Sequence, residues 1–372
     1  MMNQDTILAG QALTLKRYPI TSNCNLQAWD AADHHLLKTL QDQQLDADGA
    51  LLLNDAFGAL ACGIQAERFY SHTDSKVAQL GCIKNLSLNG RDPELNWLAI
   101  DEPWPESLEL VLMKLPRNLN QLDSQLQKLS QTLRAGARLL IGGKAKLINR
   151  ALVERCARQF GQATPSLAWK NTRVIECVFD GQPRATTPLR QWPVPEYDLT
   201  LSNMPNVFAG NSLDIGARAI LPYLPEDCDG PIVDLGCGNG VLGLRAGQLN
   251  PNADIHFVDE SAAAVQSAEL NWQENLKRNG AQFHWSDCLS EIAPLQAQWI
   301  LCNPPFHQGD AITDHIAWQM LKDSHRHLCK GGQLLLVGNR HLGYHVKLKR
   351  VFGNSELVAS DNKFVVLVAT KN

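Results

Sequence analysis

The sequence predicts an α/β protein with two tandem, mostly parallel sheets, each wound with helices on both faces and finished by an antiparallel hairpin. Three observations predict it. Apolar runs alternate with amphipathic stretches through the second half, the first half repeats that order, and a proline-rich stretch divides the two. A chain of 372 residues is also long for one core. Two domains are expected, 1–185 and 200–372, with 186–199 as a linker.

In the second half, "GPIVDLGCGNG" reads as a strand running into a glycine loop, followed by an amphipathic stretch from Val241. "ADIHFVDES" is the next strand, with a helix from Ala262 to about Leu276 behind it. "AQFHWSDCL" and "QWILCNPPF" are two further strands, then comes a helix from Asp314 to about Leu328 and the strand "GGQLLLVGN". "NKFVVLVAT", after "GNSELVASD", reads as an added antiparallel strand.

The first half matches this order. "FYSHTDSKVAQLGCIKNLSLNG" follows "HFVDESAAAVQSAELNWQENL", with Ser75 and Asn85 spaced as Ser261 and Asn271 are. "LVLMKLP" sits where "WILCNPP" does, placing Lys114 against Asn303 and Pro116 against Pro305. "AGARLLIGGK" and "NTRVIECVF" match "GGQLLLVGNR" and "NKFVVLVAT". The halves read as a duplication. Where the second has "VDLGCGNG" and "NPPF", the first has "LLNDAFGA" and "KLPR", so it keeps the fold without the small-molecule motifs.

The start "MMNQDTILAG" lacks the basic and apolar regions of a signal peptide, and no eighteen apolar residues run together, which predicts a soluble, cytoplasmic protein. Ten cysteines without regular spacing predict reduced thiols and no metal site. The net charge of -4 conceals a basic stretch: between Arg134 and Arg190 stand 11 basic and 3 acidic residues. That is the footprint of a polyanion or a solvated helix face.

Gly236, Gly238 and Gly240, with Asn239 among them, follow a strand and open a helix, so backbone N–H groups can approach a nucleoside-bearing ligand. Val241 stands where a dinucleotide fingerprint needs its third glycine, which weakens that reading without removing it. Asp234, before the loop, suits a cationic ligand. Nineteen residues past Gly240, Asp259 is placed for ribose hydroxyls, or as a helix N-terminal charge. Asp287 is placed for an adenine amino group, or as an N-cap. In "CNPPF" two prolines stiffen a strand end and leave carbonyls without local partners.

"VDLGCGNG", the acid of "VDES", "SDCL" and "NPPF", in that order over residues 200–372, resemble the motifs of class I S-adenosylmethionine-dependent methyltransferases that act on exocyclic amino groups. Tandem halves with a degenerate first copy resemble the ribosomal RNA guanine-N2 methyltransferases. "LNDAFGAL", "LAWK", "NVF" followed by "LDIGAR", "CNPPFHQ", "TDHIAW" and "NKFVVL" extend that likeness to nearly the whole chain. The resemblance implies two Rossmann-like methyltransferase domains, S-adenosyl-L-methionine as cofactor and 23S ribosomal RNA as partner, with a hairpin or single-stranded guanine as target, guanine 1835. It implies that Asn303, Pro304, Pro305 and Phe306 hold the target amine and base; the adjacent His307 reads as an ordinary loop histidine or as the acceptor of the departing proton. Asp234, Gly236, Gly238, Asn239, Gly240, Asp259, Asp287 and Phe208 would hold the cofactor, with Asp214 and Gly216 in second rank. Lys144, Lys146, Arg150, Lys170 and Arg173 would hold RNA backbone.

Two competitors share parts of this pattern. A small-subunit guanine-N2 methyltransferase shares the architecture. A release-factor-type protein-amide methyltransferase shares "NPP" but ends it with tyrosine and lacks a degenerate twin. A non-catalytic RNA-binding module would be expected to lose the glycines or "NPPF", and the second half keeps both.

Overall fold

The computed structural model describes residues 5–20, 26–208, 210–305 and 311–372, and the chain divides into two units, Met1–Pro188 and Leu189–Asn372. Each unit holds a seven-stranded sheet. Counted in chain order, the strands of both sheets run 3-2-1-4-5-7-6. In the second unit they are, edge to edge, Ala281–Trp285, Ile255–Asp259, Ile232–Leu235, Ala297–Cys302, Leu328–Asn339, Phe364–Thr370 and Glu356–Ser360. In the first they are Glu94–Trp97, Arg68–His72, Leu51–Leu53, Leu110–Lys114, Arg138–Lys144, Thr172–Phe179 and Gly161–Pro165. The first five strands of each sheet pair in parallel, and the seventh runs antiparallel to both its neighbours.

The central strands are short and apolar because helices cover both faces. In "LLL", Leu52 enters one apolar cluster while Leu51 and Leu53 enter the other. In Ile232–Leu235, Ile232 joins one layer and Val233 and Leu235 the opposite one. The period of two along a strand thus divides each core into two layers. The matched serines do the same work twice. Ser75 caps the helix Lys76–Leu88 through Ala78 N–H, and Ser261 caps Ala262–Asn275 through Ala264 N–H.

The stretch read as a linker, 186–199, is built into the fold at both ends. Thr187 exchanges hydrogen bonds with Gln127, and Arg184 N–H bonds Ser130, on the helix Leu119–Thr132 of the first unit. Gln191–Val194 then pairs antiparallel with Leu199–Ser202. Trp192 and Val194 turn inward while Gln191 and Pro193 stay exposed, a two-residue alternation that the prolines mask in the sequence. The hairpin of Asp5–Leu8 and Gln11–Thr14 stands at the matching place in the first unit. The helix expected from Asp314 spans Ala311–His327. Among the described residues no helix is long and apolar enough to cross a membrane.

Candidate active site

Strand register sets the site. Leu235 pairs with Val258 on one side and Cys302 on the other, and Asp259 pairs with Trp285. One residue further along, Gly236, Asp259 and Asn303 lie in a row across the carboxyl ends of the parallel strands, with Asp287 just beyond. Sheet order reverses between Ile232–Leu235 and Ala297–Cys302, so Gly236 and Asn303 flank the switch point where such sheets take ligands.

The glycine loop is anchored from its neighbours. Gly236 and Cys237 donate N–H to the Val258 carbonyl, and Gly238 N–H bonds Asp259 Oδ2 at 2.9 Å. Asp259 Oδ1 accepts Ser261 N–H at 2.9 Å, so its carboxylate joins the loop to the next helix. Gly240 has φ +85°, and a Cβ there would lie 2.9 Å from Ala268 Cβ. Gly238 has φ +54° and open space where its Cβ would be, the cradle that a ligand laid on this loop needs.

Asp234 is 1% exposed, and its Oδ2 accepts Gly243 N–H at 2.8 Å, bracing the helix Val241–Leu249. Burial, opposed by that hydrogen bond and reinforced by the nearby Asp259 charge, pushes its pKa up to about 8. Asp287 does not cap with its side chain: the following turn closes on its backbone carbonyl, which accepts Ser290 N–H and Oγ–H. At 5% exposure its carboxylate has no hydrogen bond among the described residues, nor has the buried Ser286 hydroxyl beside it. Phe208 is 70% exposed, and its carbonyl accepts from Asn203 Nδ2. Asn203 Oδ1 in turn receives Asn239 Nδ2 at 3.4 Å and the Trp192 indole N–H at 3.2 Å. Asn203 therefore ties the Phe208 backbone to the glycine loop, a role with no signal in the local sequence.

Asn303 ends the strand Ala297–Cys302, and its Nδ2 donates to Asp214 Oδ2 at 2.9 Å. A carboxylate only accepts there, so the amide is oriented with Oδ1 turned away. That Oδ1 is buried and has no hydrogen-bond partner among the described residues. An unsatisfied buried acceptor costs about 1–3 kcal/mol, so this oxygen is a candidate point of contact for a donor. Pro304 is buried and Pro305 exposed; Phe306 and His307 lie outside the described residues.

Two family models match the chain: the RLMG N-terminal domain over residues 3–181 and the methyltransferase small domain over 198–368. The ribosomal RNA large subunit methyltransferase G of Shewanella loihica is 52% identical over 372 residues, covering 97% of this chain and 93% of that one. Its counterpart from Shewanella denitrificans is 51% identical over 375 residues, with 98% of each covered. The chain belongs to the ribosomal RNA large subunit methyltransferase G family. It is an enzyme, a methyltransferase that uses S-adenosylmethionine. A solved structure, the T. thermophilus 16S rRNA N2 G1207 methyltransferase in complex with AdoMet and guanosine, has the same tandem fold, with a TM-score of 0.77, 23% identity, and 99% of this chain and 97% of that one covered. The open cradle at Gly238 and the buried Ser286 hydroxyl, without a partner among the described residues, fit a nucleoside-bearing methyl donor.

In this chain the first unit has filled the corresponding crevice with its own side chains. Asn54 crosses from the first strand to the fourth, donating to the Lys114 carbonyl and exchanging hydrogen bonds with Gln125. Lys114, in the place of Asn303, pairs with Asp30 and Asp33 at 2.7 Å each. Gly58, left-handed at the helix start like Gly240, and Ala61 both donate N–H to the buried Asp55. Burial and the Asp33 charge push the Asp55 carboxyl up to about 7. Donors that would face a ligand are thus satisfied within the protein.

The basic residues group unevenly. Ala145 N–H bonds the Asn171 carbonyl at 2.8 Å, bringing the exposed Lys144 and Lys146 beside the exposed Lys170. Lys170 lies over the Trp169 ring, which also packs edge-on against His34. Arg150 is exposed and paired with Glu154, whereas Arg173 is half-buried with its Nε enclosed and unpaired among the described residues.

Proposed function

We propose that the chain transfers the methyl group of S-adenosylmethionine to the exocyclic N2 amino group of one guanine in 23S ribosomal RNA, in the cytoplasm. The observation that carries this is the buried Asn303 Oδ1 beside the glycine loop, without a partner among the described residues, with its amide oriented by Asp214. A guanine amino lone pair is delocalised into the ring and is a poor nucleophile. Asn303 Oδ1 and the Pro304 carbonyl would each accept one amino hydrogen, which turns the lone pair toward the methyl carbon. Phe306 would stack on the base. The cofactor supplies an electrophilic methyl group on a sulfonium. The N–C bond forms as the C–S bond breaks, the sulfonium becomes a neutral thioether, and the methylated nitrogen loses its proton to solvent. Positioning does the work, and no strong base is needed at the transition state.

The target must leave its stack, which is least costly in a hairpin loop or single strand. Lys144, Lys146, Arg150, Lys170 and Arg173 of the first unit are the proposed RNA-backbone contacts. Support for large-subunit RNA comes from the names of the methyltransferase G relatives, and guanine 1835 as the target is what the sequence likeness implies. The test is methyl transfer from labelled S-adenosylmethionine to protein-free large- and small-subunit RNA, with nucleoside analysis. N2-methylguanosine in the large-subunit RNA alone is expected, and Asn303→Ala should abolish it while the cofactor still binds. Label in small-subunit RNA alone would overturn the choice of substrate.

A further inference from the structure

We infer that Asp214 is the positioning residue for the methyl-accepting amine: it sets the orientation of the Asn303 amide, and thereby which of its atoms meets the substrate. This rests on the reading of Asn303 given above. Asp214 is the N-cap of the helix Ile215–Ile220, and its Oδ2 accepts both Ala217 N–H at 3.2 Å and Asn303 Nδ2 at 2.9 Å. The cap alone accounts for only one of these bonds. The other crosses 89 residues of sequence to the strand end at the switch point. An asparagine amide has a donor end and an acceptor end of nearly equal shape, and a turn of 180° exchanges them. With Nδ2 toward substrate, Asn303 would repel the amine hydrogens instead of accepting one. The carboxylate of Asp214 has only acceptors to offer, so it selects one of the two orientations.

The first unit supplies an independent comparison. Its N-cap at the matching helix is Asp30, which accepts Ala32 and Asp33 N–H and also reaches the residue at the end of the fourth strand, Lys114. The link from N-cap carboxylate to strand end is therefore built twice. In the first unit lysine spends its charge on Asp30 and Asp33, with no acceptor left over. In the second, the same link to an asparagine leaves one oxygen without a partner among the described residues and turned away from its anchor.

Serine is a good N-cap but too short to reach Asn303, and asparagine can place its oxygen where Oδ2 stands. Asp214→Ser is therefore expected to keep the melting temperature and the affinity for S-adenosylmethionine while kcat falls about tenfold or more, the loss of one oriented hydrogen bond. Asp214→Asn should restore kcat to within about threefold of wild type. The contact itself is read by selective asparagine ¹⁵N labelling, with the Asn303 side-chain amide signal assigned by its absence in Asn303→Ala. Its hydrogen exchange should be slow in wild type and Asp214→Asn and fast in Asp214→Ser. Unchanged exchange in Asp214→Ser, or a kcat equal to wild type, overturns the inference. So does a fall in melting temperature matching the fall in kcat, which would make Asp214 only a cap. Slowed exchange in a wild-type enzyme that forms no N2-methylguanosine in any RNA would leave the contact standing and overturn the proposed reaction instead.

Discussion

Asn85 in the first unit and Asn271 in the second make the same three hydrogen bonds. Asn271 Oδ1 accepts Ser202 N–H, and its Nδ2 donates to the carbonyls of Ser202 and Asn239. Asn85 does the same with Lys16 and with the carbonyl of Phe57. One turn later Asn275 and Asn89 repeat the clamp on Thr200 and Thr14. Each asparagine thus ties the leading hairpin segment to its unit, and Asn271 also holds the glycine loop. Asn271→Ala would leave three buried backbone groups unpaired, so it should destabilise the second unit by about 3 kcal/mol or more and weaken cofactor binding. Urea denaturation and cofactor titration check it; Asn85→Ala should cost similar stability and leave the cofactor affinity unchanged.

Gly238 and Gly240 separate binding from folding. A Cβ at Gly240 strikes Ala268 and the Phe257 ring, whereas one at Gly238 meets nothing within 4 Å. Gly240→Ala should therefore lower the melting temperature clearly and lose cofactor affinity with it. Gly238→Ala adds only the left-handed backbone strain, about 1 kcal/mol, yet puts a methyl group where the cofactor would lie. Its dissociation constant for S-adenosylmethionine should rise tenfold or more with little change in melting temperature, read by calorimetry on both variants.

The acid limb of stability should run through His256. It stacks on His284 with Nδ1 3.0 Å from the partner Nε2, and burial followed by the His284 charge pushes its pKa from 6.5 down to about 4. A depressed folded value means that the neutral ring's contribution is full above pH 6.5 and is lost as pH falls through about 4. The urea midpoint of wild type should fall across that window. His256→Gln should give a shallower slope there, whatever its level at neutral pH.

Reversing Lys144, Lys146 and Arg150 to glutamate should weaken RNA binding most at low salt. The slope of log affinity against log salt should fall by about 2 to 3, at roughly 0.7–0.9 for each phosphate that is no longer neutralised. Filter binding at several salt concentrations measures it. Equal affinity at all salts would move the RNA surface elsewhere.

Much of this protein could be read locally. Periods of two and of 3.6 marked strands and helices, and the repeat of Ser75 and Asn85 as Ser261 and Asn271 marked the duplication. Glycines after "IVDL" and prolines after "WILC" marked the loops that border the switch point. One strand was hidden by its composition. Four prolines between Phe179 and Asp198 hid a strand whose partner is Leu199–Ser202, and local composition carries no sign of pairing.

The succession of strands and helices, the tandem repeat and the residue types at the site are all written in the amino-acid order, because periodicity and turn chemistry act between near neighbours. How those residues are used became visible only in the folded chain. Asp234 braces the helix behind the glycine loop, Asn203 joined the site, Asp214 anchors the Asn303 amide, and Asn54, Lys114 and Asp55 closed the first unit's crevice. Most of these contacts cross between elements that only strand register brings side by side, and a hydrogen bond forms only where donor and acceptor arrive within about 3 Å of each other.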